Sequence, residues 1–198
     1  MSIKTSKEKL LELLAPPFKA HDFVLNKQLG EFTRRRTAGW EKFQLIFLKR
    51  KDGWEINLGM LIRKDIIENI YHQASSFDPK YHKTTPTLGI TVEKFRNDGN
   101  EYRFYLSSDS DIEKCTNYIF FEQYDNLGTM DKAVNVKNGE SIFSGLKYQG
   151  NLGIILAKLM KSPDYDFFLK KYYNYYKNLS SEFYLPEYEK LLKILDSL

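Results

Sequence analysis

The chain has 198 residues, of which 42% are hydrophobic and 15% aromatic, a length sufficient for one sizeable core. Its 30 basic and 26 acidic side chains leave a net charge of only +4, a small bias beside that of dedicated nucleic-acid binders. A single cysteine, Cys115, excludes an intrachain disulfide and a cysteine-rich metal centre. We expect one cytoplasmic domain over residues 1–198, because the sequence shows neither a signal-peptide pattern nor the roughly 18 consecutive apolar residues of a membrane span.

The N-terminal segment predicts a helix. Thr5 and Glu8 fit a capping box, and leucines follow at helical spacing. Pro16 and Pro17 should end this helix, because proline lacks the backbone N–H that would continue it. After the helix, Phe23–Leu25 suits a short extended piece.

Residues Glu31–Ile62 predict three consecutive antiparallel strands joined by two tight turns. Asp52–Gly53 lies between alternating apolar runs, which is the strongest short-range signal for a hairpin. With these as the two turn residues, each apolar side chain that the first strand of this hairpin places on one face meets an apolar partner. The expected pairs are Lys51–Trp54, Lys49–Ile56, Phe47–Leu58, Leu45–Met60 and Phe43–Ile62 on one face, and Arg50–Glu55 and Leu48–Asn57 on the other.

The first of the two turns has a weaker signal. Taking Ala38–Gly39 as its two residues places Phe32 on the apolar face, and we prefer that choice. The expected pairs are then Arg36–Glu41, Arg34–Phe43 and Phe32–Leu45.

The rest of the chain predicts helices and two further strands. Asp65 should cap one helix, residues 75–86 should form a loop, and Ser110 with Glu113 should form a capping box for a helix that ends before Gly128. Strands are expected around 88–92 and 102–106, and helices near 151–161, 164–178 and 186–197. The predicted fold class is α+β: an antiparallel sheet of about five strands with a leading helix, an intervening helix and a helical C-terminal third. The strand order does not follow from the sequence.

Basic and aromatic side chains flank both predicted turns. Arginine interleaved with aromatic residues can bind phosphates through charge-assisted hydrogen bonds and bases through stacking. The alternative is a charged sheet edge that resists edge-to-edge pairing. The candidate residues for binding an anion or a partner are Arg34, Arg35, Arg36, Trp40, Lys49, Arg50 and Lys51.

An aromatic run occupies Phe167–Leu179. Its stripe at helical spacing consists of Phe168, Tyr172, Tyr175, Tyr176 and Leu179. We interpret this stripe as core packing, in which tyrosine buries its ring and keeps a polar tip at the rim. A groove for a partner is the alternative.

No residue is assigned as catalytic, cofactor-binding or metal-binding, and no cofactor is expected. His21, His72 and His82 lack the spacing of a metal site, and Cys115 suits a small buried apolar residue. The segment from Gly145 to Gly150 lacks the Lys-Ser/Thr of a phosphate-binding loop. An enzyme site assembled from distant residues stays open.

The element order resembles that of an uncharacterised family of small bacterial α+β proteins, in which an arginine-bearing strand precedes a strand pair containing an N-L-G-like sequence. The matching residues are Phe32, Arg34, Asn57, Leu58 and Gly59, and the likeness covers about residues 8–160. Some such families are similar to immunity proteins, which bind and block a bacterial toxin. The resemblance implies a protein partner and no catalytic residues.

Two functions are therefore expected. The first is a non-enzymatic binding protein of the cytoplasm, in the manner of an immunity protein. The alternative is binding of nucleic acid or another anionic ligand through the basic strand surface, with no membrane involved.

Overall fold

A computed structural model describes residues 3–96, 98–119, 150–179 and 184–198 of the chain. The chain divides into two compact units. The first consists of Met1–Ile62 and Leu88–Val134, and the second of Arg63–Thr87 and Asn135–Leu198. The predicted helix end before Gly128 and the expected features of 128–149 lie outside the described residues.

The order of elements confirms the predicted α+β class. In chain order they are α1 (Ile3–Ala20), β1 (Val24–Asn26), β2 (Glu31–Arg36), β3 (Gly39–Lys49), β4 (Trp54–Lys64), α2 (Asp65–Ala74), a 3₁₀ turn (Pro79–Tyr81), β5 (Leu88–Thr91), α3 (Val92–Arg96), β6 (Arg103–Leu106), α4 (described over 109–119), α5 (Gly150–Leu159), α6 (Tyr165–Asn178) and α7 (Tyr184–Asp196).

The strands of the first unit form one antiparallel sheet with the order β1-β2-β3-β4-β5. β6 also pairs with β4. Trp54–Asn57 of β4 pair with β6, and Gly59–Ile62 pair with β5, so these two strands follow one another along β4 instead of pairing together. The sixth strand therefore lengthens the sheet's edge without widening it.

The prediction that α1 ends at Pro16–Pro17 is wrong, because the helix continues to Ala20. Phe18 lies one turn beyond Leu14 on the buried face of the helix, and its ring stacks on Phe32 with centroids 4.1 Å apart. Burying this face stabilises the last turn despite the missing N–H groups. The predicted capping box is also wrong, since α1 begins at Ile3 and Thr5 lies inside it.

The first hairpin differs from its predicted register by two residues. Arg36 pairs with Gly39, Arg34 with Glu41 and Phe32 with Phe43, so Thr37–Ala38 form the turn. A shift of two keeps each side chain on its predicted face, and Phe32, Phe43 and Leu45 are all buried. The observed register brings Arg34 opposite a carboxylate instead of a phenyl ring.

The second hairpin turns one residue earlier than predicted. Arg50 N–H donates to the Gly53 carbonyl over 3.0 Å, so Lys51 lies in the turn and not opposite Trp54. A Cβ at Gly53 would collide with the Leu106 carbonyl oxygen, so glycine here permits the close approach of β6.

The predicted apolar face of β3 and β4 is confirmed. The Phe47 and Trp54 rings meet edge to face with centroids 5.8 Å apart. Alternate residues of a strand share a face, so Leu58 lies on this side, where it is buried.

Two predicted helix caps are also wrong. Asp65 is the first residue of α2, and its carboxylate accepts from Arg63 Nε over 2.6 Å instead of capping the helix. At α4, Asp111 N–H donates to Ser108 Oγ while the Asp111 carboxylate accepts from Ser108 N–H, a capping box two residues before Ser110–Glu113. The hydrogen bonds from Ser108 and Ser107 lower the pKa of Asp111 to about 2.

The second unit confirms the three predicted C-terminal helices, α5, α6 and α7. Its buried core consists of Ile67, Ile70, Ala74, Ile154, Ile155, Tyr188, Leu191 and Leu195. From the predicted α6 stripe, Tyr172 and Tyr176 pack against this core, whereas Tyr175 is 55% exposed. The stripe is thus core packing in part, and its remaining edge is a surface.

Candidate functional site

The basic residues predicted as a site are partly engaged within the chain. Arg34 is 6% exposed and Glu41 2%, and Arg34 Nη2 lies 2.6 Å from Glu41 Oε2. The guanidinium also lies over the Phe23 ring, 4.6 Å from its centroid. A buried arginine held by a carboxylate and a ring is not available to an external anion.

Other members of the predicted site also have internal contacts. Arg36 Nε lies 3.6 Å from Glu41 Oε1, and Arg50 Nη2 lies 2.8 Å from Glu55 Oε2. Trp40 is buried, and Lys42 Nζ lies 4.8 Å from its ring centroid.

The two basic runs do not converge. Arg36 faces Gly39 at the start of β3, and Lys49 is the last residue of that strand, so the runs lie about 33 Å apart at about 3.3 Å per residue. Arg36 and Arg50 are exposed despite their ion pairs, and Arg35, Lys49 and Lys51 are exposed as well. They belong to opposite ends of the sheet and not to one patch.

The second unit contains a buried polar cluster that sequence reasoning missed. Thr85 Oγ1 donates to Glu68 Oε2 over 2.6 Å and accepts from Arg63 Nη1 over 3.0 Å. Arg63 Nη1 also donates to the Thr85 carbonyl over 2.9 Å, and Arg63 Nε binds Asp65. Residues from the end of β4, from α2 and from the loop 75–87 are thereby joined.

His72 completes this cluster. Its Nε2 lies 2.8 Å from Thr85 Oγ1 and 3.4 Å from Glu68 Oε2, and its Nδ1 lies 2.9 Å from Ser75 Oγ. Since the single Thr85 hydroxyl proton goes to Glu68, His72 Nε2–H is the donor to Thr85, and in the neutral ring Nδ1 then accepts from Ser75. Desolvation by burial, and then the charge of His82, lower the pKa of His72.

His82 stacks on His72. The two ring centroids are 4.0 Å apart, with an interplanar angle of 7°. His82 Nε2 donates to the Phe77 carbonyl over 2.8 Å, and the Phe77 ring meets the His72 ring edge to face. The ten-residue spacing of the two histidines gave no sign of this contact, because it depends on the path of the loop between them.

Glu187 at the start of α7 fixes the same loop from the other side. Its Oε2 accepts from both the backbone N–H and the hydroxyl of Ser76, over 2.9 Å and 3.1 Å. Its Oε1 accepts from the Tyr71 hydroxyl over 3.1 Å and from Asn151 Nδ2 over 3.4 Å. Both carboxylate oxygens are therefore used to hold α2, α5 and the loop.

Exposed aromatic side chains concentrate in this unit. Among the described residues, five of the six exposed aromatics belong to it, and Tyr105 of the first unit is the other. Four of them, which we call the aromatic rim, are Phe77, Tyr81, Tyr175 and Tyr184, with exposed fractions of 49%, 51%, 55% and 47%.

Two members of the aromatic rim, Tyr175 and Tyr184, are connected through Tyr176. Tyr175 meets Tyr176 edge to face with centroids 5.5 Å apart, and Tyr176 stacks on Tyr184 at 6.2 Å. Tyr184 lies about one turn before Glu187, the residue that binds Ser76 beside Phe77. The rim is thus supported by a tyrosine of the core and by a fixed loop.

Cys115 is buried, and desolvation raises its pKa to about 12, as expected for an apolar residue and not for a nucleophile. Within the described ranges, no group of three or more histidine, cysteine, aspartate or glutamate residues could hold a metal ion.

The fold and these surfaces define an α+β protein with an antiparallel sheet in one unit and a helical second unit. Comparison of the chain with protein-family models, with curated proteins and with solved structures gives no match. None of the helices that the structure describes is both long enough and apolar enough to cross a membrane.

Proposed function

We propose that this chain is a non-enzymatic cytoplasmic binding protein that covers a surface of a partner protein, in the manner of an immunity protein that inhibits a bacterial toxin. The aromatic rim is its contact surface. The observation that carries the proposal is the exposure of four large aromatic side chains on supported elements of one unit. Tyrosine and phenylalanine supply large contact areas, and few such residues contribute most of the binding energy at protein interfaces.

The rigidity of the surface supports the same function. Tyr176, which contacts Tyr175 and Tyr184, also packs on the buried Tyr188 with centroids 5.0 Å apart. Phe77 is carried by a loop with hydrogen bonds to α2 and α7. Side chains that are held before binding lose less conformational entropy when a partner covers them.

Affinity capture tests the proposal. The full chain serves as bait in a lysate of the native host near neutral pH, beside a Tyr175→Ser/Tyr184→Ser variant and a Phe167→Ser control. Phe167 is 65% exposed on the same helix as Tyr175 but is not part of the rim. We expect one stoichiometric partner on the wild type and the control, with affinity for the rim variant lower by at least about tenfold. No such partner, or equal capture by the rim variant, contradicts the proposal.

The inhibitory role requires a second measurement. Expression of the captured partner alone should arrest growth, and co-expression of the wild-type chain, but not of the rim variant, should restore it. A partner that is harmless when expressed alone would contradict inhibition of a toxin.

Anion binding is the second candidate function, supported by the exposed Arg35, Lys49 and Lys51. The ion pairs of Arg34, Arg36 and Arg50 make it the weaker one. Its test is the affinity for a short single-stranded oligonucleotide at increasing salt, with the three exposed residues replaced by glutamine as the comparison. Phosphate-driven binding must weaken as salt rises and must be lost in the triple variant.

A further inference from the structure

The loop 75–87 carries two residues of the aromatic rim, and several of its polar anchors converge on α2. Ser75 and Thr85 bind the two ring nitrogens of His72, and His82 stacks on the same ring. At the end of the loop, Thr87 Oγ1 accepts from Lys64 N–H over 2.9 Å. The imidazole of His72 is thus the central contact of the loop.

Burial disfavours a charge on His72. Its hydrogen bonds do not choose between the two charge states, because the Ser75 hydroxyl can donate to Nδ1 or accept from Nδ1–H, and Nε2–H donates to Thr85 in both states. The His72 side chain is 5% exposed, so a charge there would be poorly solvated.

The charged groups around the two rings are of both signs. Glu68 of α2 lies 3.4 Å from His72 Nε2 and favours a proton there, whereas the Arg63 guanidinium at the end of β4 disfavours it. Asp78, in the loop, interacts with His82. A proton on the buried His72 ring is disfavoured by the His82 ring stacked 4.0 Å from it and by Arg63, and it is favoured by Glu68.

We propose that the stacked pair of His72 and His82 makes the attachment of loop 75–87 dependent on pH, so that the loop is held near neutral pH and released in mildly acidic solution. Release moves Phe77 and Tyr81 out of the aromatic rim. Phe77 is affected directly, because its carbonyl accepts from His82. The consequence for partner binding rests on the function proposed above, whereas the release of the loop does not. Through the rim, a drop in pH would dissociate the complex.

The direction follows from linkage. The pKa of His72 is lower in the folded chain than the ordinary histidine value of about 6.5. The stabilisation by neutral His72 is therefore fully present above that value and is lost as the pH falls below it toward the folded-state pKa.

Hydrogen exchange of the isolated full-length chain tests the release of the loop. Exchange of peptides covering 75–87, corrected for the intrinsic pH dependence, is compared near pH 7.5 and near pH 5.5. We expect acceleration of about tenfold in the wild type and a smaller acceleration in His82→Gln, since one unit of pKa corresponds to a tenfold change in an equilibrium. Burial still lowers the pKa of His72 in this variant, but glutamine, which can keep the donor to the Phe77 carbonyl, removes the charge of residue 82 from beside the His72 ring.

His21→Gln is the matched control, because His21 belongs to the first unit. It should behave as the wild type. Equal pH dependence in the wild type and His82→Gln, or none in the wild type, would overturn the proposal.

An NMR titration of the wild type gives an independent readout, so the test does not depend on the folding of a variant. The ring protons of His72 should titrate below the ordinary histidine value of about 6.5. An unperturbed titration of His72, near about pH 6.5, would overturn the proposal.

Binding of the captured partner at the two pH values distinguishes the proposed contact surface from the proposed pH dependence of the loop. If the captured partner dissociates near pH 5.5 from the wild type but not from His82→Gln, both stand. If the loop opens but binding persists, the pH dependence of attachment stands, and the loop's place in the contact surface is rejected.

Discussion

Each unit buries a pair of one arginine and one glutamate that interact, but the two pairs are built differently. In the first unit, Arg34 and Glu41 touch directly at 2.6 Å. In the second, Arg63 and Glu68 are 3.6 Å apart, and Thr85 bonds to both of them. Glu68 Oε1 has no hydrogen-bond partner among the described residues. We call Arg34 and Glu41, which touch directly, the closed pair, and Arg63 and Glu68, which are joined through Thr85, the bridged pair. Because Thr85 also bonds to His72, we expect the bridged pair to respond to pH.

The largest expected effect is in the closed pair. Glu41→Gln should lower the free energy of unfolding by about 3 kcal/mol, because it leaves Arg34 buried without its counter-charge. Urea denaturation at neutral pH measures this change. In the double variant Arg34→Met/Glu41→Leu most of the loss should be recovered, since apolar side chains replace both charges.

Glu55→Gln is the control for that experiment. Its partner Arg50 is 46% exposed, and exposed ion pairs contribute little, so we expect a loss of less than about 1 kcal/mol. If Glu41→Gln costs no more than Glu55→Gln, the buried charge of Arg34 does not depend on Glu41, which contradicts this prediction.

The bridged pair should be less sensitive. Glu68→Gln should cost about 1–2 kcal/mol, because Arg63 keeps its contacts with Asp65 and the Thr85 carbonyl. The pKa of His72 should fall further in this variant, since the charge of Glu68 raises it in the native chain. Denaturation gives the first quantity and the NMR titration the second. A cost equal to that of Glu41→Gln, or a rise in the pKa of His72, would contradict the comparison.

The two pairs also show which features of the structure can be predicted from the sequence and which cannot. The class, the antiparallel strands and the C-terminal helices follow from hydrophobic periodicity, which depends on neighbouring residues alone. The register of the first hairpin was missed by two residues because both registers bury the same apolar face, so periodicity cannot distinguish them. The choice depends on Arg34 meeting Glu41, an electrostatic term that the pattern of apolar residues does not contain.

The candidate site shows the same limit more strongly. The sequence groups Arg34 with Lys49 because their basic runs lie on neighbouring strands, but the two runs are at opposite ends of β3. The contact between His72 and His82 depends on a loop path that no local rule specifies. In the sequence, Tyr175 and Tyr176 belong to one helical stripe that suits burial. Only the tertiary packing shows that Tyr175 is exposed and that Tyr176 packs against the core.

A smaller effect concerns the response of each unit to acid. Asp111→Ala should cost about 1 kcal/mol near neutral pH by removing half of the α4 capping box. The pKa of Asp111 is lowered to about 2, so this contribution is present above the ordinary aspartate value and is lost as the pH falls toward 2. In the second unit, the stabilisation by neutral His72 should instead begin to be lost near about pH 6.5.

Denaturation of Asp111→Ala and the wild type over a pH series measures the difference. Asp109→Ala is the control at the same helix start, where an exposed contact with Lys9 should contribute less than about 1 kcal/mol. A difference for Asp111→Ala that persists unchanged at the lowest pH would contradict the assignment.

The smallest expected effect compares two helix ends of the same design. α1 ends with Phe23 N–H bonded to the Phe18 carbonyl and Asp22 at φ 66°; α5 ends with Ser162 N–H bonded to the Ala157 carbonyl and Lys161 at φ 51°. Glycine favours this left-handed position, aspartate tolerates it and lysine does not.

Lys161→Gly should therefore raise the free energy of unfolding by about 0.5–1 kcal/mol, while Asp22→Gly should change it by less than half as much, because glycine also gains entropy in the unfolded chain. Thermal and urea denaturation of the two variants, made in the same background, resolve this difference. A larger gain in the free energy of unfolding for Asp22→Gly than for Lys161→Gly would contradict this prediction, because it would show that Asp22 is the more strained of the two residues.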